Sequence, residues 1–219
     1  MIEDLWGPEA DTTARNTLQA KVSLLRRALG QVAVVYDARG GYTLEVDPSA
    51  VDALAVLRVA EKTTALLRSG DPESALTAST SALAMFRGDV LNDAADREWS
   101  IPHRVRLEEA RRGLIEDRLA ARMELGATGE VIGELESLVV LHPLRERFWA
   151  LLITALYRGG RQADALAAYR RARERLADEL GLDPGRELQA LEQQVLLRDP
   201  VLRIAAATRS LGEVESPAR

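Results

Sequence analysis

Two glycines, Gly126 and Gly160, stand 34 residues apart, and the residues after each follow one template. Five positions on come small or β-branched residues (Val131, Ala165), then Leu135 and Tyr169, then Leu138 and Ala172. Pro143 falls where a second helix should end, and Trp149, Leu152 and Leu156 take the large apolar positions of the next first helix. Gly70 and Ala75 open a weaker copy. A helix pair cannot bury its apolar face alone, so units of this kind stack on one another.

A period of 34 residues is that of tetratricopeptide (TPR) units. It predicts an all-helical stretch from Val51 onward, with helices at 52–68, 72–86, 99–125, 128–141, 144–158, 161–180 and 184–198. The pairs should stack into a short solenoid whose inner face comes mainly from the first helix of each pair. Gly70-Asp71-Pro72 supplies a helix stop, an N-cap and an N1 proline, and Asp183-Pro184 repeats the start signal. Residues 87–98 read as a polar loop, and the pattern fades after Asp199-Pro200. The segment 161–180 overruns the consensus length, so these are TPR-like units and not a regular array.

Ahead of the repeats the pattern changes. Residues 2–6 read as the end of a helix stopped by Gly7-Pro8. Asp11-Thr12-Thr13 offers capping side chains for a helix from about Ala14 to Leu29, closed by Gly30. Leu18, Val22, Leu25 and Leu29 form its expected core stripe. Val32–Tyr36 and Tyr42–Val46 flank Asp37-Ala38-Arg39-Gly40-Gly41 and read as a β-hairpin.

The 219 residues are 47% hydrophobic, a composition that can bury a core. With no cysteine there is no disulfide framework and no thiolate metal site. No apolar run is long enough to span a bilayer, and Met1-Ile2-Glu3-Asp4 carries no basic stretch ahead of an apolar one. A cytoplasmic chain is expected. His103 and His142 have no histidine or cysteine at i+4, and Asp89, Asp93 and Asp96 lack the central glycine and terminal glutamate of a calcium loop. No nucleophile elbow, P-loop or dinucleotide fingerprint occurs. Catalysis, metal and cofactor therefore have no candidate residues. Trp6, Trp99 and Trp149 each lie in an apolar helical pattern, which predicts core packing.

The net charge of −5 argues against non-specific nucleic-acid binding by the whole chain. Its distribution matters more. Between Thr13 and Gly30 there are four basic residues and no acidic one. With the core stripe at the bottom of the helical wheel, Asn16, Ala20, Ser23 and Arg27 point outward, flanked by Thr17, Gln19, Lys21 and Leu24. Amides can pair adenine edges, and cations can pair guanine or phosphate. The same face also reads as an ordinary solvated helix surface. A hairpin just downstream, with Arg39 at its tip, gives the helix-then-wing layout of a winged-helix DNA reader. The candidate DNA-contacting residues are Arg15, Asn16, Thr17, Gln19, Lys21, Ser23, Arg26, Arg27 and Arg39.

The segment Ala14–Gly30 resembles the recognition helix of response-regulator-type winged helices, and Gly41-Tyr42-Thr43-Leu44 resembles the return strand of the wing. Phe86-Arg87-Gly88, His142–Arg147, Leu156–Arg171 and Glu179–Gly185 are similar to the bacterial transcriptional activator domain. Together they resemble the SARP family of antibiotic-regulatory activators over about residues 2–200. That resemblance implies a mainly α fold, a TPR-like helical-repeat domain preceded by a truncated winged-helix segment of helix, recognition helix and hairpin wing. It implies a partial winged helix at 1–48, the activator domain at 51–200, and a tail or linker at 201–219. It implies binding to double-stranded promoter DNA, contact with RNA polymerase or another regulatory protein, no membrane partner, and room for a homodimer. The strands and first helix that open the family's winged helix have no counterpart here, so weakened DNA binding is expected. Leu24 sits where relatives often carry arginine. The alternative is a TPR-type protein-interaction module with no DNA binding of its own.

Overall fold

A computed structural model describes residues 2–7, 12–30, 34–36, 41–94, 97–200 and 202. The chain divides into two compact units, Met1–Val59 with Ala84–Arg111, and Ala60–Leu83 with Arg112–Arg219.

In the first unit, α1 (Ile2–Trp6) stops at Gly7, and α2 (Thr12–Leu29) stops at Gly30. Gly30 has a φ of 98°, a left-handed conformation that glycine adopts without strain, and its N–H donates to Arg26 O at 2.9 Å. Strands β1 (Val34–Tyr36) and β2 (Tyr42–Leu44) pair antiparallel, with Val34 opposite Leu44 and Tyr36 opposite Tyr42. The expected strand pairing is there, and β2 ends at Leu44, before the expected Val46. The turn residues 37–40, Arg39 among them, lie outside the described residues. A 3-10 turn, Pro48–Ala50, follows, capped by Asp47. Hydrogen bonds from the Ser49 hydroxyl and N–H hold the Asp47 carboxyl below its ordinary pKa.

The expected core stripe of α2 is only half realised. Val22 is buried and Leu18 half-buried, but Leu25 and Leu29 are 50% and 54% exposed; Ala14, outside the expected stripe, is buried on the same side. Among the described residues, the elements that pack most against α2 are a five-residue helix and a three-residue strand, too small to cover one side of an 18-residue helix. Trp6 and Trp99 are likewise exposed, against expectation. Trp99 sits in a 3-10 turn, Glu98–Ser100, whose buried side is taken by Ser100 and not by the indole.

From Asp52 onward, every regular element among the described residues is helical. The helices are α3 (Asp52–Arg68), α4 (Pro72–Leu83), α5 (Ile101–Glu124), α6 (Thr128–Leu141), α7 (Glu146–Arg158), α8 (Gln162–Leu180) and α9 (Arg186–Leu196). Helix α4 ends at Leu83, before the expected residue 86. Downstream, the Arg111 guanidinium lies 5.2 Å from the centre of the Phe86 ring.

The repeat template is built as the spacing predicts. Gly70, Gly126 and Gly160 all have positive φ, at 78°, 92° and 77°. Each closes its helix with the same two bonds: the glycine N–H reaches back three residues (Leu67, Met123, Tyr157) and the next N–H reaches back five (Leu66, Arg122, Leu156). The second helix of each pair then buries equivalent positions: Ala75, Val131 and Ala165; Ser79, Leu135 and Tyr169; Ala82, Leu138 and Ala172. Ser79 is tolerated there because its hydroxyl donates to Ala75 O at 2.7 Å. In the second unit α7 packs against α6, α8 and α9, which explains why it is apolar nearly all round, from Phe148 to Tyr157.

A fourth copy of this turn has no glycine signal in the sequence. Arg198 has a φ of 54°; its N–H bonds Val195 O, and Asp199 N–H bonds Gln194 O. Arg198-Asp199-Pro200 thus repeats the turn of Gly70-Asp71-Pro72 with arginine in the left-handed position. The missing glycine concealed it. Long-range polar contacts in the second unit were also not legible. The Asp117 carboxylate accepts from the Thr63 and Thr64 hydroxyls at 2.8 Å each, and buried Glu116 pairs with Arg145.

Candidate nucleic-acid interface

A helix of 18 residues is roughly 27 Å long at 1.5 Å per residue, and its diameter of about 10–12 Å fits a major groove about 12 Å wide. On α2, Arg15, Asn16, Thr17, Gln19, Lys21, Ser23 and Arg27 are all exposed, and Arg26 is half-buried. Burial of Ala14 and Val22 fixes which side turns inward, so Asn16, Ala20, Ser23 and Arg27, at spacings of four, three and four, share the outward side. The wheel drawn from the sequence therefore holds for the polar face even though the apolar stripe is incompletely covered.

Two of the candidate groups are partly committed. The Thr17 hydroxyl donates to Thr13 O at 3.0 Å and the Ser23 hydroxyl donates to Gln19 O at 2.9 Å. With their hydrogens turned back into the helix, these oxygens face outward as acceptors, suited to an exocyclic amino group and not to a phosphate. Donors to phosphate on this face are then the cations and the Asn16 and Gln19 amides. Arg26 and Arg27 lie in the last turn, where the helix dipole favours positive charge. Leu24 is 55% exposed in the midst of this face, an apolar group at a place suited to a cation or to a thymine methyl.

The helical part has its own arrangement of charges. Arg147 pairs with Glu187 at 2.8 Å and Arg158 with Glu124 at 3.0 Å, both joining first helices of successive units. Sequence spacing pointed to Arg147 but could not find its partner, because the two lie 40 residues apart.

Residues 51–196 match the family model of the bacterial transcriptional activator domain. The chain belongs to that family. The activator-domain relatives include "Transcriptional regulator RedD" of Streptomyces coelicolor, 37% identical over 94% of this chain and 61% of the relative. "Regulatory protein DnrI" of Streptomyces peucetius is 34% identical over 91% of this chain and 77% of the relative. The solved structure of Mycobacterium tuberculosis EmbR in complex with a low-affinity phosphopeptide superposes with a TM-score of 0.84, at 33% identity over 94% of this chain and 56% of that one. The chain thus spans about three fifths of RedD and of the EmbR chain. Both alignments cover 94% of this chain, more than the activator domain alone, and the expected likeness to SARP-type regulators is borne out.

Proposed function

We propose that this chain is a DNA-binding transcriptional regulator of the activator type, acting in the cytoplasm by binding and not by catalysis. In this reading residues 1–48 form the DNA-contacting part, 51–200 the activator domain, and 201–219 a tail or linker. Helix α2 enters the major groove of double-stranded promoter DNA, with Arg39 beside the backbone or minor groove. Asn16 and Gln19 read base edges; Arg15, Lys21, Arg26 and Arg27 hold phosphates or guanine; Thr17 and Ser23 supply acceptors. The helical repeats contact RNA polymerase or another regulatory protein, and two chains on one promoter form the homodimeric arrangement. The observation that carries the reading is the outward face of α2, polar and cationic with no acidic residue, in the same chain as an activator-family domain.

Selection from a random duplex pool, followed by titration of the enriched sequence, tests it. Sequence-specific binding is expected, with Gln19→Ala losing about 1–3 kcal/mol at one base position and relaxing preference there. Retention of no sequence at low salt would remove the DNA-binding half and leave a protein-interaction module. Arg147→Ala should abolish activation of a reporter while leaving DNA binding intact. Loss of both together would assign the repeats a purely supporting role.

A further inference from the structure

The first helices α5, α7 and α9 enclose a groove of about 400 Å³. Its floor is made of small and apolar side chains, Ala120, Ala150, Leu151, Thr154, Ala190 and Leu191. Arg147 and Arg158 both line it, and 11 residues along α7 separate them by roughly 16 Å at 1.5 Å per residue. At the Arg158 end the groove already holds something. Leu202 packs against the hydrophobic core there, and its main-chain carbonyl accepts from Arg158 Nε at 3.0 Å. The Arg158 side chain is only 12% exposed and is oriented by Glu124 at 3.0 Å. At the Arg147 end no such segment fills the space among the described residues, and the Arg147–Glu187 pair forms the rim.

A guanidinium fixed by a carboxylate and offering Nε–H to a backbone carbonyl reads main chain, whatever the side chain. An adjoining floor of alanine and leucine reads an apolar side chain of leucine size. The two together describe a peptide subsite, and Leu202 shows what it accepts. We propose that the α5–α7–α9 groove is a docking site for a leucine-bearing, apolar peptide segment of a partner protein, and that the chain's own Leu202 occupies its Arg158 end as an internal competitor. This rests on the reading of the repeats as the partner-contacting part. A partner segment binds by displacing Leu202 and extending toward Arg147. Because the competitor is tethered, its effective concentration is in the millimolar range, so a free peptide must overcome it.

The test is a titration of the full chain with a fluorescently labelled synthetic peptide, Asp-Pro-Val-Leu-Arg-Ile-Ala-Ala, the sequence of residues 199–206. Peptide affinity, read by anisotropy, should rise at least tenfold in Leu202→Asn, whose neutral polar side chain leaves the apolar subsite, relative to the unaltered chain. Adding Arg158→Met, which keeps the stem and removes the donor, should reverse most of that gain. Helix content by circular dichroism accompanies each variant. If Leu202→Asn does not fold, Leu202→Ala vacates the same subsite, and a gain of at least threefold is expected. Equal affinity of the unaltered and vacated chains, or full affinity after Arg158→Met, would overturn the proposal. Neither DNA nor polymerase is in the titration, so its failure leaves the promoter reading standing. Failure of the Arg147 reporter test with intact peptide binding would remove the polymerase contact and leave the groove.

Discussion

Trp149 shows how much one side chain can hold in this fold. Its ring is 3% exposed, its Nε1–H donates to Pro143 O at 2.8 Å, and the Arg171 guanidinium lies 5.4 Å from the ring centre. The ring fills the space beneath the corner between α6 and α7, and the indole N–H satisfies a carbonyl of that corner. Trp149→Ala removes both, and should cost about 3–5 kcal/mol in urea unfolding. A loss below about 1 kcal/mol would mean the repeat register is wrong. Trp149 was legible as a core residue because it stands three and seven positions ahead of Leu152 and Leu156 on one helix face. Trp6 and Trp99 were misread for the complementary reason. An apolar residue reports a tendency to be buried, and burial also needs an opposing element, which a local pattern does not reveal.

Among elements, the turn after each first helix is the unit that repeats. Three of the four copies place glycine at the left-handed residue, and the fourth places Arg198. A side chain in that conformation costs roughly 1–2 kcal/mol. Gly126→Ala should therefore lower stability by about 1 kcal/mol. Arg198→Gly should raise it, by up to about 1 kcal/mol, because relief of strain outweighs the added freedom of the unfolded chain. Thermal midpoints of the two variants check this, and a lower midpoint for Arg198→Gly would contradict the shared geometry. Helices α3 and α6 were placed to the residue because a glycine turn or proline bounds them. Helix α4 was overrun because Ala84-Met85-Phe86 continues an apolar pattern that the backbone abandons at Leu83. The apolar stripe of α2 was overread in a different way, since its covering partners are too short.

At the scale of the whole molecule, two kinds of surface are joined in one chain. The outward face of α2 carries cations and amides without an acidic residue, and the first helices of the repeats carry paired charges around an apolar groove. Local periodicity was enough to place the first, because a helix face is defined within one helix. It was not enough for the second. Arg147 with Glu187, Arg158 with Glu124 and Arg158 with Leu202 come together only after distant helices pack. The central claim is that α2 grips DNA through its cations and reads it through its amides. The most direct measurement is the salt dependence of binding to the selected duplex by the unaltered chain, Arg27→Ala and Gln19→Ala. Arg27→Ala should weaken binding to every sequence and reduce the slope of log affinity against log salt by about one, while Gln19→Ala keeps the slope and loses preference at one base. Unchanged slopes and unchanged preferences in both variants would contradict the account, because α2 would then not be the element in contact with DNA.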